Sequence, residues 1–108
     1  MTHIASEKAR VDGIVAYLHS LPAWVYKTHG SSVGRSGIPD LLVCYLGHFF
    51  AFEVKNDTGR PSNDQKRNIR VINKRGGTAC VVRSRREVQT IIEAYEVEVG
   101  YRKATDAQ

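Results

Sequence analysis

The chain has 108 residues, enough for one compact domain with its own core but small for an enzyme acting alone on a large substrate. Sixteen Lys and Arg against eleven Asp and Glu set the net charge at +5, which favours a polyanionic partner, although solvated lysines on an ordinary basic protein give the same composition. No run approaches the ~18–20 consecutive apolar residues of a membrane span, and Glu7, Arg10 and Asp12 interrupt any signal-peptide core, so a cytoplasmic protein with no membrane partner is expected.

Residues 5–20 form the first expected helix, with Val11, Ile14, Val15 and Leu18 on one stripe at helical period. Glu7, four residues before Val11, falls on that same stripe. A carboxylate facing inward needs a partner, and a metal site would supply one; a first-turn glutamate favoured by the helix dipole is the other reading. Pro22 closes the helix, and residues 23–27 read as a short strand. Residues 28–38 carry three glycines and three serines and are expected to form a mobile loop, without the Gly-Lys-Ser/Thr of a phosphate-binding P-loop. Ser31, Ser32, Arg35 and Ser36 are candidates for contacts to nucleic-acid phosphates, set against the plainer reading of a flexible connector.

Two apolar runs follow, residues 41–46 and 49–52, split by Gly47-His48 in the pattern of a β-hairpin. A turn at Gly47-His48 sets Asp40 opposite Lys55 and Leu42 opposite Glu53. A turn at Leu46-Gly47 sets Asp40 opposite Glu53. Either way Asp40, Glu53 and Lys55 project from one face, because opposed residues and residues two apart share a face. Two carboxylates and an ammonium at the end of an apolar hairpin are costly to desolvate without a compensating partner. Hard oxygen ligands suit Mg²⁺, which binds one or two carboxylates and keeps water and substrate phosphate as its other ligands. Such an ion polarises a phosphoryl oxygen, and Lys55 would then orient the attacking water or stabilise developing charge. From spacing alone, a Lys–carboxylate cluster guarding a sheet edge fits as well. Cys44 and Cys80 fall in expected strands without CxxC spacing and read as buried reduced thiols, and the four histidines have no ligand spacing.

Residues 56–61 are rich in turn formers. Ser62 opens a second helix with Gln65 three residues on, a capping box. Gln65 also shares a face with Ile69 and Ile72, so capping and a site role compete for one side chain. Lys66, Arg70 and Lys74 recur every four residues on another face, a stripe that is either suited to phosphates or simply solvated. Gly76 stops this helix in a left-handed cap. Residues 78–83 form a further strand, and Ser84 opens a last helix with Val88, Ile91, Ile92 and Tyr95 inward. The tail from Gly100 is expected to be flexible, leaving a core of residues 5–99 in a domain spanning 1–108. The order helix, strand, hairpin, helix, strand, helix implies an α/β fold: a mixed central sheet flanked by helices, its hairpin covered on both faces up to one polar mouth.

Asp40 after Pro39, followed by Glu53-Val54-Lys55, matches the PD-(D/E)xK nuclease signature. With Gly34-Arg35-Ser36-Gly37-Ile38-Pro39-Asp40, Gln65, Gly76-Gly77 and Val81-Val82-Arg83 around it, the chain resembles the VRR-NUC family of the restriction-endonuclease-like superfamily over roughly residues 7–90. That resemblance implies a stand-alone nuclease domain with a restriction-endonuclease-like mixed sheet. It implies metal ligation by Asp40, Glu53 and the backbone carbonyl of Val54, with Glu7 as a further ligand, and Mg²⁺ as cofactor with Mn²⁺ substituting. Glu7, Asp40, Glu53, Lys55 and Gln65 become the catalytic set, and Arg83 is left without an assigned role. The implied partner is DNA, branched as in a Holliday junction, met by a homodimer in the cytoplasm of a bacterial or phage-infected cell during repair or recombination. Tyr45, Tyr95 and Tyr101 are candidates for the dimer interface. A flap or nicking nuclease and a catalytically silent nucleic-acid-binding module are the competing functions.

Overall fold

Each helix starts on a serine. In the computed structural model, which describes residues 6–28 and 36–104, Ser6 caps α1 (Glu7–His19), Ser62 caps α2 (Asn63–Lys74) and Ser84 caps α3 (Arg85–Glu98). Their hydroxyls accept from the backbone N–H of Ala9, Gln65 and Glu87, satisfying donors that a helix start otherwise leaves unpaired. The strands are β1 (Trp24–Lys27), β2 (Leu41–Tyr45), β3 (His48–Val54) and β4 (Thr78–Val82), in the order β1-β2-β3-β4. The first two pairings are antiparallel, and β3 and β4 are parallel, joined by α2. The mixed sheet flanked by helices is therefore the expected one.

The hairpin turn corrects one of the two registers. Tyr45 pairs with His48 and Leu41 with Phe52, so the turn is Leu46-Gly47, both with positive φ (49° and 74°). Two such residues make the primed turn whose twist matches the flanking strands. Leucine in the left-handed region costs about 1–2 kcal/mol, and contacts from elsewhere hold it there. The Tyr95 hydroxyl donates to the Leu46 carbonyl at 3.0 Å, and His48 Nε2 meets Thr78 Oγ1 at 2.8 Å.

One face of the sheet presents Leu41, Val43, Tyr45, Phe50, Phe52 and Val54, all buried with Ile14 and Leu18 of α1 and Val88 and Ile92 of α3. Among the described residues the opposite face has α2 alone. A helix about 10 Å wide spans roughly two strands at ~4.8 Å spacing, and α2 lies on β3 and β4. Of the two hairpin strands only β3, from Phe50 onward, is thus covered on both faces, and Cys44 of β2 is exposed rather than buried. Cys80 is half-buried, and desolvation pushes its thiol up to about 11.

Glu93 and Glu96 of α3 are buried, which the apolar stripe alone did not indicate. Glu96 Oε2 accepts from the Tyr45 hydroxyl at 2.6 Å and Oε1 from Arg102 Nε at 2.8 Å. The backbone N–H groups of Tyr101 and Arg102 also reach the Glu96 carbonyl. The chain is consequently pinned through Arg102, past the expected start of a flexible tail at Gly100. Glu96→Ala is expected to cost about 2–4 kcal/mol in urea unfolding, because it strands the buried Tyr45 hydroxyl and opens a void.

Candidate active site

The hairpin register carries Asp40 to a position opposite Glu53, one step beyond Leu41 and Phe52. Asp40, just before β2, is held from both sides, by Val54 of β3 and by Thr28 just after β1. Its Oδ2 accepts from the Val54 N–H at 2.9 Å and its carbonyl from the Thr28 N–H at 2.9 Å, while the Thr28 hydroxyl reaches the Pro39 carbonyl at 3.0 Å. Glu53 is 1% exposed. Its Oε2 accepts from Lys55 Nζ at 3.1 Å and from Gln65 Nε2 at 3.0 Å. Its Oε1 is buried and meets no hydrogen-bond donor among the described residues. Desolvation, with the Asp40 charge adding to it, pushes the Glu53 carboxyl up to about 7 against the pull of Lys55.

Gln65 does not have to choose between its two expected roles. Its Oε1 accepts from the Ser62 N–H at 2.8 Å, closing the capping box, while Nε2 holds Glu53. Glu7 approaches from the first helix. With Lys8, Val11, Lys27 and Asp40 it lines a cleft of about 410 Å³, and its Oε2 accepts from the Asn56 N–H at 3.3 Å. Among the described residues no three His, Cys, Asp or Glu side chains gather as a ready metal cage. The donor set is therefore a carboxylate pair, which is what Mg²⁺ uses alongside water and phosphate, and the orphaned Glu53 Oε1 is an acceptor that a cation would satisfy.

The structure gives Arg83 a role. Its guanidinium Nη1 donates to the Asn56 carbonyl and, at 3.0 Å, to the Gly59 carbonyl. Arg10 in turn donates to the Arg83 carbonyl at 2.7 Å and to Asp57 Oδ1 at 3.1 Å. Together they clamp the loop after Lys55 against β4 and α1. That loop packs on the site: a Cβ at Gly59 would stand 3.2 Å from Glu7 Oε2 and 3.4 Å from Lys55 Cδ. Arg83→Met is expected to speed amide hydrogen exchange at residues 56–59 at least tenfold relative to α3, since each charge-assisted bond is worth about 1.5–3 kcal/mol. The one sequence signal is an arginine at the end of an expected strand.

The candidate nucleic-acid contacts divide. Ser31, Ser32 and Arg35 lie outside the described residues. Ser36 is engaged within the fold, its hydroxyl donating to Asp64 Oδ2 at 2.8 Å and its carbonyl accepting from Asn68 Nδ2 at 3.1 Å. The Ser36 bond, followed by Arg67, holds the Asp64 carboxyl below the usual range. Gly37 beside it has φ +79°, and a Cβ there would fall 2.5 Å from the Asp64 backbone, so only glycine lets this segment approach α2. Lys66, Arg70 and Lys74 are exposed along α2.

A mixed sheet that sets Asp40 opposite Glu53, with Lys55 two residues on and a crossover-helix glutamine on the same carboxylate, has the form of a restriction-endonuclease-like nuclease domain. A solved structure described as "VRR_NUC domain" matches with TM-score 0.69 and 35% sequence identity, covering 84% of this chain and 99% of that one. A second, a "VRR_NUC domain protein", matches with TM-score 0.68 and 18% identity over 87% of this chain and 90% of its own, and speaks for the fold alone. Comparisons with protein-family models and with curated proteins found no match. The chain belongs to the VRR-NUC family and is a nuclease domain.

Proposed function

We propose that this chain is a divalent-metal-dependent DNA endonuclease that acts as a homodimer on branched DNA, four-way junctions above all. The observation that carries the reading is the Glu53 carboxylate, buried opposite Asp40 with one oxygen bonded to Lys55 and Gln65 and the other without a donor. Asp40 and Glu53, with the Val54 carbonyl, would hold Mg²⁺ or Mn²⁺, and Glu7 lines the cleft beside Asp40. When bound, such an ion polarises a phosphoryl oxygen and lowers the pKa of water. Lys55 supplies an ammonium beside the same carboxylate, placed to orient the attacking water and to offset charge on the phosphate. Gln65 restrains Glu53, and the Arg83 clamp restrains Lys55 and Glu7. The net charge of +5 and the exposed Lys66, Arg70 and Lys74 support a nucleic-acid substrate.

One chain carries one such site, whereas resolving a junction needs two nicks on opposing strands, which a two-fold pair supplies. No described helix is long and apolar enough to cross a membrane, and a cytoplasmic setting suits two free thiols. A cleavage panel with Mg²⁺ on four-way junction, flap, nicked and linear duplex, with Glu53→Ala as control, tests the reading. Paired symmetric nicks on the junction are expected. Cuts confined to flaps or single nicks would replace the resolvase by a flap or nicking nuclease, and salt-sensitive binding without cleavage by any metal would leave a silent binding module.

A further inference from the structure

Two lysines line the cleft beside Asp40, and the chemistry proposed above uses neither. Lys8 and Lys27 share it with Glu7, Val11 and Asp40, in a volume of about 410 Å³, within the ~300–1,000 Å³ of ligand-sized clefts. Glu7 and Val11 stand one turn apart on α1, with Lys8 and Asp12 on the neighbouring row. Lys27 closes the other wall. It ends β1 and pairs with Leu41, one step before the Thr28 N–H meets the Asp40 carbonyl. Leu41 packs on the core face with α1, and cross-strand partners share a face, so Lys27 is sent to the α1 side.

Both ammonium groups lean on one carboxylate. Lys8 Nζ lies 2.8 Å from Asp12 Oδ2, and Lys27 Nζ lies 3.8 Å from Asp12 Oδ1. The Lys8 bond comes first among the causes that hold the Asp12 carboxyl below its usual range. The Lys27 distance is too long for a hydrogen bond, and a loose, half-exposed pair of this kind is readily exchanged for another anion. Two cations on one carboxylate leave a positive charge over at the mouth of a site otherwise rich in carboxylates. A DNA strand brings a phosphate with every nucleotide. An ion on Asp40 and Glu53 would neutralise the scissile one, but its neighbour on the α1 side arrives among Glu7 and Asp12, which repel it. Lys55 is committed to Glu53 at 3.1 Å, and Lys66, Arg70 and Lys74 belong to α2, which packs on β3 and β4 from the other face. We propose that the Lys8–Lys27 cleft is the subsite for the nucleotide adjoining the scissile phosphate, its own phosphate taking Lys27 with Lys8 beside it and its sugar lying on Val11. Asp12 is the counter-charge that this phosphate displaces. The subsite rests on the nuclease reading and gives the cut strand a path, from the ion over Asp40 and out along α1.

Lys27→Met and Asp12→Asn both break the Lys27–Asp12 pair, so a pair that merely ties β1 to α1 would make the two variants fail alike. A subsite makes them diverge. In titrations of fluorescent DNA with Ca²⁺ in place of Mg²⁺, Lys27→Met should weaken binding about tenfold and flatten the slope of log affinity against log salt by about 0.9. Asp12→Asn should tighten binding about threefold. Glu98→Gln, the same change of charge on the exposed last turn of α3, should leave it unchanged. A strand scanned with neutral methylphosphonates should show one position, next to the cut, that weakens the wild type as much as Lys27→Met does and leaves Lys27→Met no weaker still. Weaker binding by both Lys27→Met and Asp12→Asn, a gain in Glu98→Gln equal to that in Asp12→Asn, or a Lys27→Met protein as sensitive as wild type at every position would each overturn the subsite. A wild type that gives the expected responses but cuts no DNA with Mg²⁺ or Mn²⁺ would support the cleft as a phosphate site and overturn the nuclease reading. A wild type that binds no DNA would overturn both.

Discussion

Glu53→Gln is expected to reduce metal-dependent cleavage by about 10²–10³-fold and to leave the metal-free protein no less stable than wild type. Loss of activity follows from losing a carboxylate that would hold the ion while keeping shape and burial. The stability half follows from the carboxyl's position, pushed from 4.5 to about 7 chiefly by desolvation. A folded-state value raised above the unfolded one means that Glu53 contributes stability fully below about 4.5 and loses it as pH rises through about 7. Glutamine imitates the neutral form. Melting in chelator should therefore coincide for the two proteins near pH 5 and favour Glu53→Gln near pH 8. A variant that melts lower than wild type at pH 8 would mean that the charged Lys55–Glu53 bond outweighs the burial cost.

The second large effect is the response to metal. An ion taken up by Asp40 and Glu53 has to displace the Glu53 proton, so its affinity should weaken about tenfold per pH unit below 7. At a hundredfold excess over Kd, an ion bound to the folded state alone adds about 2.7 kcal/mol, which in a domain of this size raises Tm on the order of 10 °C. Thermal melts with Mg²⁺ and with Mn²⁺ should thus show a shift near that size at pH 8, about half of it at pH 6, and almost none in Glu53→Gln or Asp40→Ala. An equal shift at both pH values, or one that survives Glu53→Gln, would put the ion somewhere other than this carboxylate pair.

The local physics of the chain was legible residue by residue. Period-two alternation placed Asp40, Glu53 and Lys55 on one face whichever turn the hairpin took, because an even shift in register never changes face. Ser62 and Ser84 before amphipathic runs marked two of the helix starts, since the capping hydroxyl and the first turn are neighbours in sequence. What the tertiary structure alone decided were contacts between distant positions. The turn settled on Leu46-Gly47 where the Tyr95 hydroxyl, 49 residues away, meets the Leu46 carbonyl. Arg83 acquired its role by reaching Asn56, 27 residues back, and Glu96 its burial by meeting Tyr45, 51 residues back. Coverage of the sheet was set by the width of the one helix on that side, which exposed Cys44, Trp24 and Tyr26 although their strands read as apolar. Alternation specifies which residues share a face; which element lies on that face, and how many strands it covers, is settled only when the chain packs on itself.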